Sequence, residues 1–158
     1  MRIAIVTESF LPNINGVTNS VLRLLEFCDA YGHEAIVIAP ESGKPISEYM
    51  GFQVKRTPSL NFKRLIPIGF PNFSIRHYLE GFQPDVIHLA SPTFLGSYLN
   101  NVAQQLKIPT ISIYQTDLGG FAKQYGFGGA EKSLQKILYR IHAQTDRTLA
   151  PSTSSCLD

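Results

Sequence analysis

The sequence predicts an α/β domain built on a doubly wound, mostly parallel sheet. Two observations carry this. Six short apolar runs recur along the chain, and segments with a helical period separate several of them. The runs are continuous rather than alternating, as strands are when helices cover both faces of a sheet. Such a β/α alternation is Rossmann-like, and ligands of these folds bind outside the carboxyl ends of the strands.

The runs cover residues 2–7, 34–39, 52–56, 85–90, 110–114 and 147–150. In the first, Ile3, Ala4, Ile5 and Val6 are unbroken. Val17, Val21, Leu24, Leu25 and Cys28 mark a first helix, with Gly32 placed to end it. Ile75, Tyr78, Leu79 and Phe82 mark a shorter helix closed by Pro84. Phe94, Leu95, Tyr98, Leu99, Val102 and Leu106 mark another, and Leu134, Ile137, Leu138 and Ile141 a fourth. Ser152 reads as the N-cap of one more helix, which Asp158 interrupts. This ending predicts the first part of a longer protein.

The 158 residues suit one domain with a sizeable core. A formal net charge of +2 is too small to argue for a nucleic-acid partner. Cys28 and Cys156 lie far apart, so neither a disulfide framework nor a zinc site is expected, and Cys28 reads as a small core residue. The strand-like start does not suit a signal peptide. No apolar run reaches the roughly 18 residues that span a bilayer. A soluble cytoplasmic domain is the expectation.

The loops expected to hold a ligand are 8–16, 91–93 and 115–129. In the first, Gly16 is free to take a positive φ and to let a phosphate approach the backbone, facing the N–H groups of the following helix. A simple Asn15-Gly16 turn fits equally, and the residues alone leave both readings open. The GxGxxG fingerprint is absent, with Asn19 where a third glycine would fall, and there is no GxxxxGK motif. Sugar nucleotides remain a good candidate class.

Four motifs in order resemble the N-terminal domain of GT-B glycosyltransferases of family 4. They are residues 7–12 with 15–21, residues 85–92, Tyr114 to Asp117 with Gly120, Phe121 and Tyr125, and residues 149–152. The likeness covers the whole chain and is closest to bacterial mannosyltransferases and to sulfoquinovosyl and other glycolipid transferases. It implies retaining transfer of a hexose, mannose or glucose, from a nucleotide sugar to a lipid or glycan, with no cofactor or metal. It also implies a second, donor-binding domain absent from this chain. Asn15, Gly16 and Val17 would then approach the donor phosphates. Glu8, Asn13, Ser91 and Tyr125 would face the acceptor. Gln115 and Asp117 form the candidate catalytic pair. Many relatives carry histidine where Gln115 stands, and a glutamine amide can bond a sugar hydroxyl but cannot titrate near neutral pH. Asp117 also reads as an ordinary exposed loop carboxylate.

The segment 61–78 interleaves Lys63, Arg64, Arg76 and His77 with apolar residues. It reads as a long, partly buried loop or as a basic surface for anionic lipid heads at the inner face of the plasma membrane. His88 reads as a hydrogen-bonded core residue, and His142 sits near a helix C-terminus, where a cation is favoured. Two other functions stay open: a sugar-nucleotide epimerase of the same fold, which would need carboxylates and a histidine for proton transfer, and a non-catalytic binding module.

Overall fold

The computed structural model describes residues 1–62, 66–69, 73–90, 92–114 and 131–150. Its centre is β1 (Arg2–Val6), paired in parallel with β2 (Glu34–Pro40) on one side and β7 (Val86–Leu89) on the other. Beyond β2 lies β4 (Phe52–Thr57), also parallel, and then the two-residue antiparallel edge β3 (Glu48–Tyr49). Beyond β7 lie β8 (Thr110–Ile113) and β9 (Arg147–Leu149), both parallel. The sheet order is therefore β3-β4-β2-β1-β7-β8-β9. All six apolar runs are strands of this one sheet.

Helices cover both faces, which explains why the central strands are apolar without alternation. Val21, Leu25 and Cys28 of α1 (Gly16–Ala30) pack on Ile5, Val37 and Val54. On the opposite face, α2 (Phe73–Phe82) and α3 (Phe94–Leu106) supply Ile75, Leu79, Leu95 and Leu99. These meet Ala4, Val6, Ile36, Ile38, Ile87 and Leu89. Adjacent residues of β1 thus feed different core layers, as the two-residue period of a strand requires. Cys28 is a buried free thiol, as its place in the helix pattern predicts.

The helix ends follow local chemistry. Asn15 caps α1, accepting from the Thr18 N–H at 2.9 Å, and Gly32 takes a φ of 67° just past its end. Lys107 ends α3 in the left-handed region, and the Ile108 N–H closes back on the Ala103 carbonyl at 2.9 Å. No glycine marks that stop. The last helix, α4 (Glu131–Ala143), leads into β9. Ser112 of β8 holds it, with its hydroxyl 2.8 Å from His142 Nδ1 and 2.9 Å from Thr145 Oγ1.

The segment 61–78 is not a long loop. β5 (Ser59–Phe62) and β6 (Ile66–Gly69) pair antiparallel, Asn61 opposite Pro67, and α2 follows. This hairpin forms its own two-stranded sheet, where a proline costs less than in a central strand. Ser152, expected to cap a further helix, lies outside the described residues.

Leu99 has no exposed surface and sits in the α2–α3 layer. Leu99→Ala should lower the unfolding free energy by about 2–5 kcal/mol, read from urea denaturation, since the void cannot fully collapse.

Candidate functional site at the sheet's switch point

The chain leaves β1 toward α1 on one side and leaves β7 toward α3 on the other, so the strand order reverses between them. Both carboxyl ends open on the same edge, where doubly wound sheets bind ligands. Two helix N-termini, those of α1 and α3, converge there.

The loop after β1 is fixed by its own polar side chains. Thr7 Oγ1 donates to the Ser9 carbonyl at 2.7 Å and accepts from the Ser9 N–H at 3.2 Å. Asn15 Nδ2 donates to Ser9 Oγ at 2.7 Å, and Thr18 Oγ1 donates to the Asn13 carbonyl at 2.9 Å. Asn13 Nδ2 reaches Ser42 Oγ at 2.7 Å, tying the loop to the end of β2. Arg56 of β4 donates to the carbonyls of Leu11, Pro40 and Ile46 at 2.7, 3.1 and 3.1 Å, with its guanidinium over the Phe10 ring. Burial lowers its pKa from the usual guanidinium value. Glycine at 16 is not required by strain: the residue is the first of α1, is absent from the positive-φ glycines, and a Cβ there would meet nothing within 4 Å. The expected positive φ is thus corrected. What glycine leaves is open space beside the first turn of α1. Val17 packs its side chain toward the α1 core layer, so only its backbone can serve a ligand.

The neighbouring helix end is closed. Glu8 is 7% exposed, and its Oε1 accepts from the Leu95 N–H at 2.7 Å and from the Gly96 N–H at 3.4 Å. The Thr93 side chain and the Gly69 backbone lie near the same carboxyl group and favour its charged form. Burial nonetheless outweighs these bonds and raises the carboxyl above its ordinary pKa.

With this geometry in place, the known proteins it resembles separate fold from family. The model of glycosyltransferase family 4 matches residues 14–156. The chain belongs to glycosyltransferase family 4. A GDP-mannose-dependent α-mannosyltransferase of Mycolicibacterium smegmatis is 46% identical over 98% of this chain and 43% of its own length. A GDP-mannose-dependent α-mannosyltransferase of Corynebacterium glutamicum is 46% identical over 98% of this chain and 39% of its own length. The chain therefore spans about two fifths of these relatives. An α-monoglucosyldiacylglycerol synthase of Streptococcus pneumoniae is 31% identical over 96% of this chain and 35% of its own length. Among solved structures, MurG of Acinetobacter baumannii superposes with a TM-score of 0.56 at 12% identity, covering 94% of this chain and 40% of that one. At that identity the likeness is one of fold, which is the GT-B architecture.

Within this family 4 domain, Glu8, Asn13, Asn15, Gly16 and Val17 all belong to the stretch that joins β1 to α1 at the switch point. Ser91, Gln115, Asp117 and Tyr125 lie outside the described residues, as do Lys63 and Arg64. Arg76 belongs to α2, where Nε meets Glu80 Oε1 at 3.0 Å and Nη1 meets Gln105 Oε1 at 2.6 Å. His77 shares that helix and is exposed. Among the described residues no helix is long and apolar enough to cross a membrane. His142 is not a favoured cation. Burial lowers its pKa, and its Nδ1 is engaged by Ser112 rather than left to the helix dipole. Ser9 and Thr18, which lie within the first family motif but carried no assigned role, complete the framework together with Thr93 of the 91–93 loop and Arg56, which no motif covers. The only local signal was the polar run around Asn15.

His88 of β7 stands between Ile5 and Ile111 in the sheet, and burial pulls its pKa from 6.5 to about 4. The folded state therefore prefers the neutral ring. That preference is fully present above the unfolded value of 6.5 and is lost as pH falls toward the folded value. Stability should drop by about 3 kcal/mol across this window. Urea midpoints measured through it should fall in the wild type and flatten in His88→Leu.

Proposed function

We propose that this chain is the acceptor-side part of a retaining hexosyltransferase. It would work with a donor-binding domain and move mannose, from GDP-mannose, onto a lipid or glycan acceptor. The carrying observation is the 46% identity, across 98% of the chain, to GDP-mannose-dependent α-mannosyltransferases. Glucose is the second donor sugar, supported by the 31% identity to a glucosyldiacylglycerol synthase. In this reading the first-turn N–H groups of Gly16 and Val17, which the Asn15 side chain does not use, face the donor diphosphate. Asn13, Ser91 and Tyr125 approach the acceptor, while Gln115 and Asp117 orient the sugar and the attacking hydroxyl. A lipid acceptor would bring the protein to a membrane surface, where Lys63 and Arg64 suit anionic headgroups.

The test is transfer by the full-length protein, offered labelled GDP-mannose or UDP-glucose with extracted lipids and with soluble mannosides. Label should pass from GDP-mannose to an acceptor in α linkage. Conversion of the nucleotide sugar to its epimer, with no acceptor labelled, would instead establish the epimerase alternative. The 158 residues alone should show no turnover, because the donor's other contacts are missing.

Gly16→Val provides a sharper check. A Cβ at position 16 meets nothing within 4 Å outside its own turn, so thermal unfolding should change little. It would stand where the diphosphate approaches, and kcat/KM should fall roughly ten- to a hundredfold, the size of one or two lost charge-assisted hydrogen bonds. Wild-type kinetics in the folded variant would remove Gly16 from the donor site.

A further inference from the structure

Two helices begin at the switch point, and the protein treats their positive ends differently. Neither α1 nor α3 carries an acidic residue in its first turn. At α1 the cap is the neutral Asn15, in an exposed position. At α3 the residue in the cap position, Thr93, makes no side-chain cap bond of its own. Glu8, from the loop that follows β1, takes the Leu95 and Gly96 N–H groups instead. An anion from 87 residues away thus fills the helix end that would otherwise attract one.

The choice of residue is informative. Thr93 is itself a residue type that caps helices without burying a charge, yet its side chain makes no cap bond to α3. A buried carboxylate is costly even when it is hydrogen-bonded. The same carboxyl lies near the backbone of Gly69, the last residue of the hairpin, which favours its charged form. Gly69 is hemmed in: a Cβ there would lie 3.1 Å from Pro40 Cγ, 3.1 Å from Thr57 Oγ1 and 3.2 Å from Leu95 Cδ2. Glu8 therefore joins β1, the hairpin and α3 at one buried point beside the open end of α1.

We propose that Glu8 is a positioning residue: it serves as the built-in anion of α3 and holds the hairpin against it, so that the donor diphosphate is directed to α1. The direction of the donor rests on the transferase reading above, while the occupancy of the α3 end does not. Glu8 is accordingly no acceptor contact, in contrast to what the family resemblance implied.

The experiment uses the full-length protein with Glu8→Ala and Glu8→Gln. Acetate supplies the methylene and carboxylate that Glu8→Ala removes. Acetate should raise the Tm of Glu8→Ala and restore its kcat, whereas acetamide and chloride at equal concentration should do neither. Without acetate, kcat should fall about tenfold or more while the acceptor KM stays within about twofold, because Glu8 acts through α3 rather than on the acceptor. Glu8→Gln fills the space but carries no charge. The raised folded pKa means that ionisation of Glu8 costs stability as pH rises through it, so this variant should match or exceed the wild-type Tm at neutral pH. Its kcat should still fall, with no response to acetate. Acetate acting no better than acetamide on the Tm of Glu8→Ala would overturn the anion assignment. A rise of about tenfold in acceptor KM for Glu8→Gln, with kcat unchanged, would make Glu8 an acceptor contact. A loss of Tm in Glu8→Ala with full kcat would reduce it to a helix cap. If Glu8→Ala does not fold, the kcat and KM of Glu8→Gln decide. Absence of hexose transfer by the wild type would sink the transferase reading alone, since the acetate effect on Tm needs no turnover.

Discussion

The structure depends on burying β1 on both faces. Ala4, Ile5 and Val6 are essentially inaccessible, and consecutive residues point to opposite sides of the sheet. A helix on one face alone would leave half of them in water, at a loss of about 25 cal/mol for each Å² of apolar surface. The chain must therefore cross to one side after β1 and to the other after β7. That double crossing opens the edge of the sheet between the two strands. The candidate site is thus a consequence of how the core is covered, and the loop residues inherit a position that packing has already decided.

The inherited position brings an electrostatic problem. Two parallel crossovers beginning at one edge aim two helix N-termini at the same space, each with unsatisfied N–H groups and a partial positive charge. A nucleotide sugar brings only one diphosphate. The structure meets one end with a side chain of its own, Glu8, and leaves the other with the small neutral Asn15 cap and a glycine. Asymmetry at the switch point therefore resides in three residues, Glu8, Asn15 and Gly16, between the end of β1 and the first turn of α1, rather than in the shape of the sheet.

The strands were legible in the sequence because two-sided burial writes continuous apolar runs, a pattern that local context does not erase. Gly32 was legible as a helix end because a positive φ favours glycine. The hairpin was not: Pro67 and Gly69 look like interruptions, and the β5–β6 pairing draws on no alternating pattern. Nor was the stop of α3, where Lys107 adopts a left-handed conformation that its identity does not announce. At the site, Asn15 and Gly16 stood out because capping and turn chemistry are local. Glu8 stood out only through the family motif and with a different role, and Arg56 and Ser112 did not stand out, since the partners of these three lie up to 88, 45 and 36 residues away. His142 was misread for the same reason: its helix position argued for a cation, while the burial that lowers its pKa comes from packing against distant parts of the chain.

Fold and family carry different information here. MurG and the UDP-GlcNAc 2-epimerase of Methanocaldococcus jannaschii superpose on this chain almost equally well, with TM-scores of 0.56 over 94% and 0.53 over 98% of it. A scaffold shared between a glycosyltransferase family 4 chain and an epimerase-named protein cannot choose between group transfer and proton transfer. Identity over the chain is 46% to a mannosyltransferase but only 12–15% to the superposed structures, so the family is told by sequence rather than by the scaffold. Epimerisation would call for acid–base groups poised to titrate. At the described part of this site, the side chains instead hold a loop still and divide two helix ends between an internal carboxylate and open space. Such an arrangement suits holding a diphosphate in place more than it suits moving a proton.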